Sequence, residues 1–138
     1  MTITVVVDEN MPAVEELLDP LVRVRRVPGR ELSAVDLADA DALLVRSVTP
    51  VDEHLLAASS VRFVGSATSG TDHVDRAYLA SRHIPFAHAP GANANSVVEY
   101  VLAAISAIGD FLERLLDGGE VGIVGYGHVG RALAVRLQ

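Results

Sequence analysis

The sequence has no cysteine and no tryptophan, and aromatic residues make up only 4% of it. Without cysteine there is no disulfide framework, no thiolate metal site and no thiol nucleophile. Basic residues are also scarce: 11 Lys and Arg stand against 18 Asp and Glu, for a formal charge of -7 over 138 residues. With no dense basic cluster, general nucleic-acid or anionic-membrane binding is not expected. Long apolar runs are missing as well. The most apolar later stretch, Val97–Leu116, contains Glu99, Asp110, Glu113 and Arg114. Its longest charge-free run, Tyr100–Gly109, is far short of the ~20 residues of a spanning helix. Met1–Val7 has no basic region before its apolar residues, and Asp8 and Glu9 follow at once, so no signal peptide is read there. These features together predict a cytoplasmic protein.

What is present is globular. Half the residues are hydrophobic, which excludes a disordered chain. Five short apolar runs come first: Ile3–Val7, Val22–Val27, Ala42–Val45, Arg62–Gly65 and Pro85–Ala87. Their β-branched, nearly unbroken apolarity fits strands buried on both faces. Helical segments alternate with them. Pro12–Leu18 follows Asn10 as a candidate N-cap, and Ser33–Leu37 is a short helix. Val51–Ala58 follows the cap and first-turn proline Thr49-Pro50, and Val74–Arg82 follows Asp72. Repeated strand–helix units predict an α/β fold, a doubly wound parallel sheet in flavodoxin-like order.

After the turn-rich loop Ala89–Asn95, Ser96 and Glu99 fit a capping box. A long helix is expected from there to Leu116, with Gly109 as its weak point. Val121–Val124 reads as a sixth strand, followed by Gly125-Tyr126-Gly127-His128-Val129-Gly130 and a helix from Val129. Strand, G-x-G-x-x-G turn and helix in that order form the context of a dinucleotide-binding fingerprint. Gly125 permits a tight turn, Gly127 close approach of backbone to a pyrophosphate, and Gly130 close helix–strand packing. The amides of His128 and Val129 would meet the phosphates at a positive helix end. A glycine turn selected only for packing is the competing reading. The acidic residue expected ~20 positions further on is not reached, since eight residues follow Gly130. NAD and NADP are therefore not distinguished.

The stretches Val7–Pro12, Val27–Arg30, Leu37–Leu43, Val45–Thr49, Phe63–Asp75, Ala89–Ala94 and Val97–Val101, with the glycine turn, resemble the D-2-hydroxyacid dehydrogenases. The resemblance covers the whole chain but only the first part of the family's length. Within the family it is closest to a branch acting on a phosphorylated 2-hydroxy acid. Where that branch usually has cysteine after Pro-Gly, this chain has Ala92. The resemblance implies an NAD-dependent oxidoreductase with its catalytic arginine, glutamate and histidine beyond Gln138. None of the catalytic residues is then expected in this chain. It also implies a homodimeric parent. The expected organisation is a substrate domain over 1–95, a connecting helix over 96–118, and the opening of a dinucleotide-binding domain over 119–138.

Ser47 closes the third strand and Thr68 follows the fourth, where ligands bind in open α/β sheets. Both match substrate-contacting positions of the family, although local turn capping explains such hydroxyls equally. Arg46 offers a guanidinium to a phosphate or a surface ion pair. Asp72, His73 and Asp75 invite a metal or acid–base role, but capping of the helix near Val74 accounts for the carboxylates. No metal site is expected. Another D-2-hydroxyacid dehydrogenase, acting for instance on phosphoglycerate, and a non-catalytic binding or interaction module of the same fold remain as alternatives.

Overall fold

The computed structural model describes all residues except Met1, Asp19 and Leu21. By contact density the chain divides into two units, Met1–Ala89 and Pro90–Gln138.

The first unit is built on five strands, β1 (Ile3–Asp8), β2 (Val22–Val27), β3 (Ala42–Val45), β4 (Phe63–Ser66) and β5 (Phe86–His88). All pairings are parallel and the order is β2-β1-β3-β4-β5, the flavodoxin-like order expected. Side chains alternate between faces along each strand, so one strand feeds two cores. Val6, Leu43, Val45 and Val64 join Leu37, Leu55, Leu56 and Leu79 on one face. Val5 and Val7 join Val14 on the other, with Met11, Leu18, Ala42 and Leu44 packed around them. Val6 and Val7, on opposite faces, are both fully buried, as a sheet covered on two sides requires.

The helices are shorter than expected, and most of their first residues lie elsewhere. Helix α1 is Val14–Leu17, with Ala13 rather than Asn10 at its cap position. A single 3-10 turn spans Ala34–Leu37, where Ser33 and Asp36 form a reciprocal capping box. Helix α2 is Glu53–Leu56, capped by Asp52, whose carboxylate accepts from the Leu55 amide. Thr49-Pro50 does not start it. Thr49 instead faces inward, its hydroxyl donating to the Gly29 carbonyl at 2.8 Å. Helix α3 is Arg76–Ser81, and its cap is Asp75, accepting from the Tyr78 amide, not Asp72. The displacement has a cause in the backbone. Val51 and Val74 form an isolated parallel bridge, with Val51 N–H donating to His73 and Asp75 N–H donating to Val51. That ladder holds 73–75 extended and delays the helix.

The second unit holds α4 (Ala94–Ala107), α5 (Phe111–Leu116) and α6 (His128–Arg136). Asn93 occupies the cap position of α4, so Ser96 and Glu99 lie inside the helix and make no capping box. The expected long helix is interrupted at Gly109, whose φ of +52° belongs to the left-handed region. Helix α4 packs on α6. Residues 121–124 form no strand. A strand needs a ladder partner, and no described segment of 90–138 supplies one.

Candidate functional site

In a parallel sheet every strand ends at the same edge, and ligands bind in the crevice outside those carboxyl ends. Val45 of β3 is register partner to Ser66 of β4. Ser47 and Thr68 each lie two residues beyond that pair, so they leave the sheet from neighbouring strands at the same edge. Ser47 is exposed, and Thr68 and Arg46 are half-buried.

Arg46 leads to a second cluster at the end of β1. Its Nη1 lies 3.7 Å from Oδ1 of Asp8, a long ion pair to a carboxylate that is 1% exposed. Oδ1 also accepts from the Asn10 amide at 2.8 Å, whereas Oδ2 has no hydrogen-bond partner among the described residues. That oxygen occupies the space a side chain at residue 29 would need: an ideal Cβ on Gly29 would come within 2.2 Å of it. Asp8, Asn10, Gly29, Arg30, Glu31 and Arg46 line a cleft of about 260 Å3 here. The cleft carries two guanidiniums, Arg30 and Arg46, and three carboxylates, Asp8, Glu9 and Glu31, so its guanidiniums already have counter-charges beside them. The burial of Asp8 was not read from the sequence; a carboxylate closing β1 directly after the apolar run Val5-Val6-Val7 was the available signal.

Around Thr68 the structure assembles a hydrogen-bonded series. Thr68 Oγ1 donates to the Gly70 carbonyl at 3.1 Å. Ser66 Oγ lies 2.8 Å from Thr68 Oγ1 and 3.0 Å from Nε2 of His73. Burial pushes the His73 imidazole below its ordinary value of 6.5, opposed in part by the neighbouring Asp72 charge. His73 is thus tied to the Ser66 hydroxyl and through it to Thr68, while Asp75, the residue two further on, is engaged in capping. Among the described residues no group of three His, Asp or Glu is placed to hold a metal ion, and no helix is long and apolar enough to cross a membrane.

The glycine turn belongs to the second unit. Gly125 has φ of +92°, a conformation that glycine adopts without strain. Gly127 immediately precedes α6, and a Cβ there would meet nothing within 4 Å. Gly130 is packed tightly: a Cβ would fall 2.1 Å from the Gly125 carbonyl oxygen and 3.4 Å from Ile123. A positive-φ turn, an open approach beside a helix N-terminus and a close contact in the first helical turn fit the phosphate-binding part of a dinucleotide site. The His128 ring lies against Gly91, where a Cβ would come within 2.8 Å of it.

A family model for the catalytic domain of D-isomer specific 2-hydroxyacid dehydrogenases matches residues 4–129. The chain belongs to this family. It is 52% identical over 137 residues to an erythronate-4-phosphate dehydrogenase of Salinibacter ruber, a match covering 99% of this chain and 35% of that protein. An enzyme of the same name from Escherichia coli is 51% identical over 134 residues, covering 97% of this chain and 35% of its own. The chain therefore spans about a third of the length of the curated relatives it matches. Solved structures share its fold. A 3-phosphoglycerate dehydrogenase of Entamoeba histolytica with bound NAD+ aligns with a TM-score of 0.70 at 22% identity, over 99% of this chain and 51% of that one. A D-lactate dehydrogenase from Aquifex aeolicus, in complex with NAD and lactic acid, aligns at 0.69 and 16% identity, over 97% and 47%.

Proposed function

We propose that these 138 residues are the N-terminal part of an erythronate-4-phosphate dehydrogenase acting in pyridoxal phosphate biosynthesis. The complete enzyme oxidises the 2-hydroxyl of 4-phosphoerythronate to a ketone. The observation that carries this reading is the identity of 50% or more, over nearly the whole chain, to enzymes of that name. The phosphoglycerate and lactate dehydrogenase structures compared above share its fold at 22% and 16% identity.

In this reading bound NAD would supply the hydride acceptor for C2. Gly125, Gly127 and Gly130 shape the turn that holds its pyrophosphate, and the amides of His128 and Val129 donate to it. Ser47 and Thr68 donate hydroxyl hydrogen bonds to the anionic substrate, and Arg46 supplies a guanidinium to its phosphate. Arg46 is half-buried, and its long 3.7 Å ion pair to Asp8 is beyond hydrogen-bond distance, which leaves its donors for a ligand. The group that takes the hydroxyl proton, its carboxylate partner and the arginine that orients the substrate carboxylate lie beyond Gln138. So do the remainder of the dinucleotide-binding domain and a dimerisation domain, and the complete enzyme is a cytoplasmic homodimer.

The test compares residues 1–138 with the complete product of the reading frame, following reduced-cofactor absorbance with 4-phosphoerythronate and with 3-phosphoglycerate. Turnover is expected only from the complete product, and preferentially with 4-phosphoerythronate. General base catalysis alone is typically worth 10²–10⁴-fold, and positioning against the cofactor contributes about 7–11 kcal/mol of barrier lowering. Turnover by the short chain within an order of magnitude of the complete product would show that the reacting groups lie inside it. Preference for 3-phosphoglycerate would replace the substrate.

A further inference from the structure

We propose that His73 is a positioning residue that holds the Thr68 hydroxyl in its donating orientation, acting through Ser66. This rests on the assignment of Thr68 to the substrate site. The direction of the series follows from counting hydrogens. Thr68 has one hydroxyl hydrogen, and it is given to the Gly70 carbonyl. The 2.8 Å contact between the two hydroxyls must then use the Ser66 hydrogen, with Thr68 accepting. Ser66 has no second hydrogen to give, so the 3.0 Å contact to His73 must be a donation from Nε2–H. The series therefore runs one way, from imidazole to Ser66 to Thr68 to the Gly70 carbonyl.

The consequence concerns the ligand. An arriving carboxylate or phosphate oxygen can take the Thr68 hydrogen in place of the Gly70 carbonyl, and the rest of the series stays as it is. With the opposite imidazole tautomer, Nε2 would accept from Ser66, and Ser66 would accept from Thr68. The Thr68 hydrogen would then point into the protein and the anion would meet a lone pair. Three features hold the arrangement still. Ser66 is 5% exposed at the end of β4. The backbone of His73 is fixed by its bond from the Val51 amide at 2.8 Å. Protonation of the imidazole leaves Nε2–H in place, so the direction survives acidification.

Two measurements on the complete product of the reading frame test this. Ring-nitrogen NMR of His73 should report a protonated Nε2. An unprotonated Nε2 would overturn the proposal, and it would do so without bearing on whether Thr68 touches substrate. In kinetics, His73→Leu should raise KM for the 2-hydroxy acid about three- to tenfold, the range of one neutral hydrogen bond, with kcat little changed. His73→Gln, whose amide nitrogen can stand near the Nε2 position, should restore most of that loss. Because both residues act on one contact, Thr68→Val and His73→Leu together should cost no more than Thr68→Val alone. Additive effects, or failure of Gln to restore binding, would mean that His73 serves the loop's stability only. A Thr68→Val enzyme with unaltered KM would instead remove Thr68 from the substrate site. If His73→Leu does not fold, the NMR result decides alone.

Discussion

Replacing Gly29 by alanine is the sharpest perturbation of the cleft beneath Arg46. The new Cβ would stand 2.2 Å from Asp8 Oδ2, 2.9 Å from Thr49 Oγ1 and 3.0 Å from Asp8 Cγ. Neither neighbour can move freely, since Asp8 and Thr49 are each 1% exposed. Asp8 would have to leave its bond from the Asn10 amide, and Thr49 its bond to the Gly29 carbonyl. Overpacking of a tight site costs about 1–3 kcal/mol, and losing a hydrogen bond to a carboxylate about 1.5–3 kcal/mol. Stiffening of the unfolded chain returns about 0.4–1 kcal/mol. A net loss of about 3 kcal/mol is expected, which corresponds to a fall in Tm of roughly 10–20 °C for a unit of this size. Circular dichroism during heating and urea titration suits a chain without tryptophan, and the urea midpoint should drop by roughly 1–2 M. Gly70→Ala is the control, because its Cβ would meet only Asp72 Oδ2, at 3.9 Å. If the two variants unfold together, the packing argument around Asp8 is wrong.

Asp75→Ala should destabilise the chain by about 1 kcal/mol as a lost N-cap, whereas Asp72→Ala should be nearly silent; denaturant midpoints decide, and the reverse ranking would refute the assignment of the cap. His73 should titrate below 6.5 by NMR, since burial disfavours its charged form. The unfolded chain then binds the proton more readily, so the contribution of His73 is complete above pH 6.5 and declines as pH falls through its folded value. Stability that rises on acidification through that window would contradict the sign. Gly130→Ala must displace the Gly125 carbonyl, a backbone atom 2.1 Å from the new Cβ, so protection of the complete enzyme by NAD against thermal unfolding should be lost; undiminished protection would separate the turn from cofactor binding.

The strands were legible because burial on both faces leaves a contiguous signature. Ile3–Val7 and Ala42–Val45 are apolar at every position but one, Thr4, and the observed strands fall within a residue or so of the expected ones. Helix starts were less legible, because several residues compete for each cap and tertiary bonds choose among them. The Val51–Val74 bridge selects Asp75 over Asp72, and the inward bond of Thr49 removes it from the start of α2. Residues 121–124 have strand composition, but composition cannot supply a neighbouring strand. At the site, the placement of Ser47 and Thr68 at one sheet edge followed from strand order alone. The pairing of Ser66 with His73 did not, since those residues are seven apart and meet only through the bridge that fixes the loop. The buried Asp8 carboxylate was equally hidden, because its neighbour Gly29 arrives from the end of another strand.

The strand order places β2 at one margin of the sheet, and its sequence Val-Arg-Val-Arg-Arg-Val interleaves three arginines with its apolar residues. Two of these charges are anchored, Arg25 to Asp39 at 2.7 Å and Arg26 to Glu15 at 2.6 Å. A second copy adding its own β2 to this margin would bring arginine against arginine along the new ladder, an arrangement that like charges oppose. At the other margin β5 is three residues long, too short to template much pairing. The same arginines that hold α1 and the 3-10 region to the sheet thus guard a parallel sheet against growing into an aggregate by strand addition.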